Sequence, residues 1–333
     1  MSLIEELKDN IYKYIKNNQI NIKLEEDFKV DFLAQGEYNI NFTISDKRNK
    51  YVFRVNTGSQ IEVDNQIKYE YEALQTLEKS GVTPEVYYLD DTKKELNYGI
   101  LIMQYLEGRP LIYQRDLDTS AKIFAKIHSL DIRDMDTSNF IVESEICKDR
   151  VKEADRLLEN FLKSPRIETN KKIFFDKFLD WSRKNIDRDK YFKNNKCHVI
   201  NNTEVNSSNF IIGREKSYLI DWEKPVISDP SQDLTQFLAK TTTLWKGNYI
   251  LTKEEKKNFY EEYKRNLDIK IPDIEERVYL YSPYLYLRAL SWCAYAYLEY
   301  QNPNKEIKNQ DTYERMKQYL DIDFMENLLK EYW

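Results

Sequence analysis

Arg54 interrupts an apolar run, Tyr51-Val52-Phe53-Arg54-Val55, and Glu70 interrupts an aliphatic stripe at helical spacing, Val63, Ile67, Leu74 and Leu77. A lone carboxylate among aliphatics is costly unless it finds a partner or neutralises. Arg54 is the cation at hand; the alternative is that both are ordinary half-exposed charges. A second cluster lies further on. The polar island Asn201-Asn202-Thr203-Glu204-Val205-Asn206-Ser207-Ser208-Asn209 sits between two apolar runs, and Asp221-Trp222-Glu223 closes the run Tyr218-Leu219-Ile220. Carboxylate and amide oxygens converging from two strand ends are hard ligands suited to magnesium with phosphates. Two solvated loops are the competing reading, since Asn and Ser clusters commonly mark turns. His128 shares helical spacing with Leu117, Ala121 and Phe124, has no nucleophile paired to it, and reads as a hydrogen-bonded core histidine.

The elements that must position these groups fall into two kinds. Leu3, Leu7, Ile11 and Ile15 predict an amphipathic opening helix. Ile40, Phe42 and Ile44 then alternate with polar residues, and a turn at Asp46-Lys47-Arg48-Asn49 leads to the Tyr51–Val55 run. A helix is expected over Asp64 to Lys79, stopped by Gly81 and Pro84, with strands at Val86–Leu89 and Gly99–Tyr105. The first hundred residues thus predict a small antiparallel sheet with one inserted helix. From Glu107 onward helical patterns dominate, interrupted once by the short strand-like runs His198–Asn201, Phe210–Ile212 and Tyr218–Ile220. Thr252 and Glu255 form a capping box. The apolar stretch from Tyr284 to Tyr300 follows Pro283, contains Arg288 and Glu299, and predicts a buried helix rather than a membrane span.

Composition narrows the function classes. The 333 residues are 41% hydrophobic and 32% charged, enough apolar material for a core and too much for a disordered chain. With 51 basic and 57 acidic side chains the net charge is -6, which argues against nucleic-acid binding and suits a cationic or metal-bridged ligand. Three scattered cysteines, Cys147, Cys197 and Cys293, form no zinc or disulfide framework and fit a reducing cytoplasm. The acidic N-terminus lacks the apolar run of a signal peptide, so a soluble cytoplasmic protein without a membrane partner is expected. Trp245, Trp292, Tyr284, Tyr286 and Tyr295 could cage a quaternary ammonium, although plain core packing is the favoured reading among 26 tyrosines.

In order and spacing these residues resemble the aminoglycoside phosphotransferase and choline kinase family, which has the bilobal protein-kinase-like fold. Leu33-Ala34-Gln35-Gly36-Glu37-Tyr38-Asn39-Ile40-Asn41-Phe42 looks like its nucleotide loop, and Met103-Gln104-Tyr105-Leu106-Glu107-Gly108 like its hinge. Phe124-Ala125-Lys126-Ile127-His128-Ser129-Leu130 is similar to the family's Leu-Ala-x-Leu-His-x-Leu helix. Ile220-Asp221-Trp222-Glu223 and Asp229-Pro230-Ser231-Gln232-Asp233-Leu234 match its metal-binding segment and the follow-on motif. The resemblance implies an α+β fold: an antiparallel N-lobe over 1–106 that binds nucleotide and a mostly helical C-lobe over 107–333 that binds the acceptor.

The implied activity is transfer of the γ-phosphoryl group of ATP or GTP to a hydroxyl of a small amino- or polyhydroxylated acceptor. Gly36, Arg54, oriented by Glu70, and the backbone at Gln104, Tyr105 and Leu106 would bind nucleotide. Asn209 and Asp221 would hold Mg2+, with Glu223 as an additional ligand, and Asp233 would brace the catalytic loop. The family's loop is His-x-Asp with Asn five positions after the aspartate. Counting back from Asn209 puts Glu204 at the base and Asn202 at the histidine, giving Asn-Thr-Glu. Placing His198 in the histidine slot would put Ile200 at the base, which removes the chemistry. Glu204 is therefore the expected catalytic base; the competing class is a nucleotide-binding pseudokinase that has lost it.

Overall fold

The computed structural model describes residues 3–59, 63–301 and 310–333, so the Met-Ser that opens the acidic N-terminus lies outside the described residues. Its first helix, α1 (Leu3–Asn17), buries Leu7, Ile11 and Tyr14 at the expected spacing. The sheet beneath is formed by β1 (Lys29–Gln35), β2 (Asn39–Ser45) and β3 (Lys50–Asn56). The helix α2 (Gln66–Leu77) intervenes before β4 (Val86–Asp90) and β5 (Gly99–Gln104). All neighbours are antiparallel, in the order β1-β2-β3-β5-β4.

The central strand β3 is sandwiched, and this decides where Arg54 points. Phe53 and Val55 pack with Ile11 and Tyr14 of α1, whereas Val52 packs with Ile67, Leu74 and Leu77 of α2. Side chains alternate between faces along a strand, so Arg54 shares the Val52 face and looks toward α2. The end of α2 tightens into a 3-10 turn over Glu78–Ser80 and closes at Gly81, whose φ of 67° is easily reached only without a Cβ.

One strand of this sheet was not foreseen. In β1 only Val30 is buried, because this strand lies at the sheet edge, and its alternation is correspondingly silent. The expected nucleotide loop is therefore the tip of a β1–β2 hairpin, closed by Gly36 N–H donating to the Asn39 carbonyl at 2.8 Å.

The helical part begins with the two-residue strand β6 (Arg109–Pro110) and α3 (Tyr113–His128). After β7 (Ile141–Val142) come α4 (Ile146–Lys163), α5 (Thr169–Lys184) and α6 (Asp189–Asn194). The three foreseen short runs are β8 (Val199–Asn201), β9 (Phe210–Ile212) and β10 (Ser217–Leu219), joined by β11 (Val226–Ser228). They form two three-stranded sheets, β10-β9-β6 and β7-β11-β8. The crossover needs Gly108: a Cβ there would stand 2.7 Å from both the Ile211 side chain and the Ile212 carbonyl of β9.

The remaining helices are α7 (Ser231–Leu238), α8 (Lys240–Lys246), α9 (Lys253–Asn266), α10 (Ile274–Tyr300), α11 (Gln310–Tyr319) and α12 (Ile322–Leu329). The Thr252–Glu255 capping box is formed at the start of α9. Pro283 does not precede the apolar helix but lies inside α10, where it forgoes one backbone hydrogen bond. Tyr284 and Tyr286 are core residues, whereas Trp292 and Tyr295 are 42% and 40% exposed. Among the described residues no helix is long and apolar enough to cross a membrane.

Candidate active site

The guanidinium of Arg54 binds the Glu70 carboxylate directly, and both residues are buried, 6% and 1% exposed. The anticipated inward pair thus forms, and the half-exposed alternative fails. Arg54 Nε donates to Asn41 Oδ1 at 2.9 Å, and Nη1 lies 3.6 Å from Asp221 Oδ1. Burial alone would lower the Arg54 pKa, but the Glu70 and Asp221 charges override it and raise it. Burial outweighs Arg54 at Glu70, whose carboxyl is raised, and its Oε2 has no hydrogen-bond partner among the described residues. Removing one member of a buried pair leaves an uncompensated charge. Glu70→Ala should therefore cost about 3–5 kcal/mol of unfolding free energy. A urea titration giving less than about 1 kcal/mol would refute a dry, paired Arg54, since that is the range of exposed pairs.

Asp221 follows β10 with φ at 66°, a sparsely populated conformation that the surrounding contacts must enforce. Asn202 Nδ2 holds its carbonyl at 3.0 Å, and its half-buried carboxylate faces Arg54. Glu223 accepts from Asn39 Nδ2 at 2.6 Å through Oε2, and its backbone carbonyl accepts from Gln66 Nε2 at 2.6 Å. Tyr69 donates to the Pro225 carbonyl, so the first turn of α2 is tied to the Asp-Trp-Glu segment and the residues just after it. Asn209 Nδ2 donates to the Glu204 carbonyl at 2.8 Å, so Oδ1 is the amide atom that would bind a metal. Among the described residues no three His, Cys, Asp or Glu side chains form a self-sufficient metal cage. Asp221 and Glu223, the carboxylates beside Arg54, are oxygen donors of the kind magnesium takes together with phosphates and water.

The charge balance supports the fit. Glu70, Asp221 and Glu223 act on one another with Arg54 as the cation they share. Burial, then Asp221 and Glu70, push the Glu223 carboxyl up to about 7 against the pull of Arg54 and Lys224. The folded protein then keeps a proton that the unfolded chain releases near 4.5. The stability contributed by this group is complete below that pH and is lost as pH rises through 7. Reduced for partial exposure, the loss in metal-free protein should be on the order of 1–2 kcal/mol. Urea unfolding at acid and mildly alkaline pH should show this drop in the wild type and not in Glu223→Gln; equal drops in both would refute the assignment.

The loop before Asn209 is braced from α7. The Asn202 and Thr203 N–H groups donate to Asp233 Oδ2 and Oδ1 at 2.7 and 2.8 Å. Thr203 also has φ at 66°, a rare state for a β-branched residue, and its Oγ1 donates to the Lys224 carbonyl at 2.9 Å. Asn202 Oδ1 accepts from the Glu204 N–H at 3.0 Å, so Asn202 links the loop to the Asp221 backbone. His128 is fully buried: Nδ1 shares a hydrogen bond with Tyr263 at 2.8 Å, and Nε2 lies 3.8 Å from Asp233. Nε2 makes no hydrogen bond among the described residues, and the Nδ1 bond in the core is in keeping with the hydrogen-bonded core histidine expected from the sequence. His198 lies apart, in a small cleft with Glu143 and Asp229.

Glu204 has a partner that residue spacing did not reveal. Lys224 Nζ lies 2.5 Å from Glu204 Oε1, with its side chain only 10% exposed. Asn39, Asn41, Gln66 and Tyr69 were likewise missed; all are polar residues in polar or mixed stretches, where nothing breaks a pattern. Gly36 meets only the Asn39 carbonyl at 3.7 Å, so the loop does not demand glycine there. Gln104 ends β5 and donates its N–H to the Glu85 carbonyl at 2.8 Å, and Tyr105 and Leu106 follow at the start of the crossover. The Lys50 ammonium sits 3.8 Å from the Tyr105 ring centroid.

Comparison with known proteins agrees with this arrangement. A choline kinase from Cryptosporidium parvum Iowa II superposes with a TM-score of 0.66 at 14% identity, over 97% of this chain and 96% of the other. A choline/ethanolamine kinase family protein from Mesorhizobium loti gives 0.62 at 15% identity, over 97% of each chain. A spectinomycin phosphotransferase solved with ADP and spectinomycin gives 0.60 at 14% identity, over 96% of each. At such identity the likeness speaks for the fold, which is α+β and protein-kinase-like. A sequence search of the curated proteins returned no match. The model of the phosphotransferase enzyme family matches residues 29–278, three quarters of the chain, and the protein belongs to that family.

Proposed function

We propose that the protein is a small-molecule kinase that moves the γ-phosphoryl group of ATP or GTP to an acceptor hydroxyl. The observation that carries this reading is Arg54, buried between Glu70 and Asp221, with Asn202 of the loop that holds Glu204 and Asn209 bonded to the Asp221 carbonyl. Phosphoryl transfer needs positioning and charge neutralisation more than covalent chemistry. Arg54, aimed by Glu70, contacts the phosphates beneath the β1–β2 tip at Gly36. The backbone at Gln104, Tyr105 and Leu106 receives the base. Asn209 and Asp221, with Glu223 beside them, hold Mg2+, which supplies charge neutralisation at the phosphates when bound. Glu204 takes the acceptor's hydroxyl proton, and Asp233 fixes the loop that carries it. In this reading residues 1–106 form the nucleotide lobe and 107–333 the acceptor lobe.

ADP or GDP release is the test, with choline, ethanolamine, spectinomycin and uncharged sugars as the first acceptors. Thermal stabilisation by nucleotide, with and without magnesium, accompanies it. Nucleotide at about 100 times its Kd should add roughly 2.7 kcal/mol. Binding without acceptor-dependent release would favour a pseudokinase, and no magnesium-dependent binding would end both readings.

A further inference from the structure

The charged residues beside and beyond Glu204 are matched among themselves. Lys224 pairs with Glu204 at 2.5 Å. On α4, Arg150 lies 2.7 Å from Glu143 and 2.9 Å from Glu153. Arg288 of α10 lies 3.6 Å from Glu153. Burial pushes the Glu153 carboxyl up, but Arg288, Arg150 and Lys224 more than offset it and hold it below its usual range. Glu143, Arg150, Glu153 and Arg288 form one chain of contacts that ends on α10, and with the separate Lys224–Glu204 pair three carboxylates are matched with three cations. Gln232 Nε2 also donates to Glu143 Oε2 at 2.7 Å.

Arg288, Trp292 and Tyr295 recur at helical spacing along α10, a helix whose other residues there are largely buried. Trp245 braces Trp292 edge-on at 5.7 Å. Tyr38, at the tip of the nucleotide hairpin, is raised by burial and by the charges of Glu37, Glu223 and Tyr295.

We propose that this site selects an uncharged polyhydroxylated acceptor over amine-bearing ones, and that Lys224 sets the preference. The inference rests on the kinase reading of the same site. An ammonium entering a partly dry cleft needs a free carboxylate to replace its hydration, and each of these three carboxylates is already engaged. At Glu204 the newcomer would face the Lys224 ammonium. Trp292 alone could attract a cation, but Arg288 already places a positive charge one helical turn away. A sugar or polyol meets no such opposition: its hydroxyls can bond the charged groups, and its apolar face can lie on Trp292.

Two measurements test this. In an ADP-release assay with magnesium and ATP or GTP, the best uncharged sugar or polyol should exceed choline, ethanolamine and spectinomycin at least tenfold in kcat/KM. The reverse order overturns the proposal while leaving the kinase reading intact. Calorimetry with choline on the nucleotide-loaded protein needs no turnover. Wild type should bind choline no tighter than millimolar, and Lys224→Gln, which frees Glu204, should gain at least tenfold; Lys224→Arg should not. Micromolar choline binding by wild type, or no gain in Lys224→Gln, overturns the proposal. If that variant fails to fold, Arg288→Gln, at the more open end, should show the same gain, and its absence counts equally against the proposal. No release with either class, alongside the choline gain, rejects the kinase reading and supports the charge assignment.

Discussion

Asp221→Ala should lower magnesium-dependent kcat/KM by about a thousandfold or more, because charge stabilisation by a bound metal is worth several kcal/mol and each 1.36 kcal/mol is tenfold. The fold should survive. The Asp221 side chain is 32% exposed, and its charge raises both Glu70 and Glu223, so its loss relieves them. Alanine does pay for φ at 66°, a region that Asp tolerates better, at about 1–2 kcal/mol. Asp221→Asn keeps the shape and the backbone preference while removing the charge, and should lose nearly as much activity as alanine. Titration calorimetry of ATP with and without magnesium separates the effects. Wild type should bind more tightly with the metal, and both variants should lose that difference while keeping part of the metal-free affinity. A variant with unchanged magnesium dependence would remove Asp221 from the metal site.

How much of this arrangement could be read beforehand depends on whether a residue violates its surroundings. Arg54 and Glu70 were legible because each breaks an apolar period, and burial forces such residues to find one another. Asp221 was legible because it ends a strand run. Lys224 was not: it follows Asp-Trp-Glu in a stretch where a lysine is unremarkable, and only the folded chain brings it to Glu204 across twenty positions. Asn39, Gln66 and Tyr69 tie the nucleotide hairpin and α2 to the Asp221 segment through contacts more than 150 residues apart in sequence. No local period records such pairings. The edge strand β1 was hidden because one of its faces meets solvent and its tip is polar. Net charge is a coarser signal. A total of -6 suits a cationic or metal-bridged ligand on average, whereas the charges beside and beyond Glu204 match three acids with Lys224, Arg150 and Arg288. Global charge governs long-range attraction, and local pairing governs what a cleft will accept.

Glu204→Gln should cut kcat by about 10²–10⁴, the usual contribution of a general base, with nucleotide affinity nearly unchanged. In the proposed register the glutamate stands where the family's loop has an aspartate, and it reaches farther by one methylene, about one C–C bond length. An unadjusted shift of about 1 Å can cost a hundredfold, so the surroundings must hold the longer carboxylate in place. They do so at both ends: Asn202 Oδ1 accepts from the Glu204 N–H at 3.0 Å, and Lys224 Nζ fixes Oε1 at 2.5 Å. Glutamine retains the shape and can still accept from Lys224 through its amide oxygen, but it cannot take a hydroxyl proton. Neutralising Glu204 also strips a largely buried ammonium of its counter-charge, so lost activity must be distinguished from lost structure. Glu204→Asp supplies the control: it keeps the proton acceptor and the charge, shortens the reach, and should lie between wild type and glutamine in kcat. A common Tm for the three proteins, with kcat falling in the order glutamate, aspartate, glutamine, would identify proton transfer as the missing step. Wild-type turnover in Glu204→Gln would instead remove Glu204 from the chemistry and leave Lys224 paired to a purely structural partner.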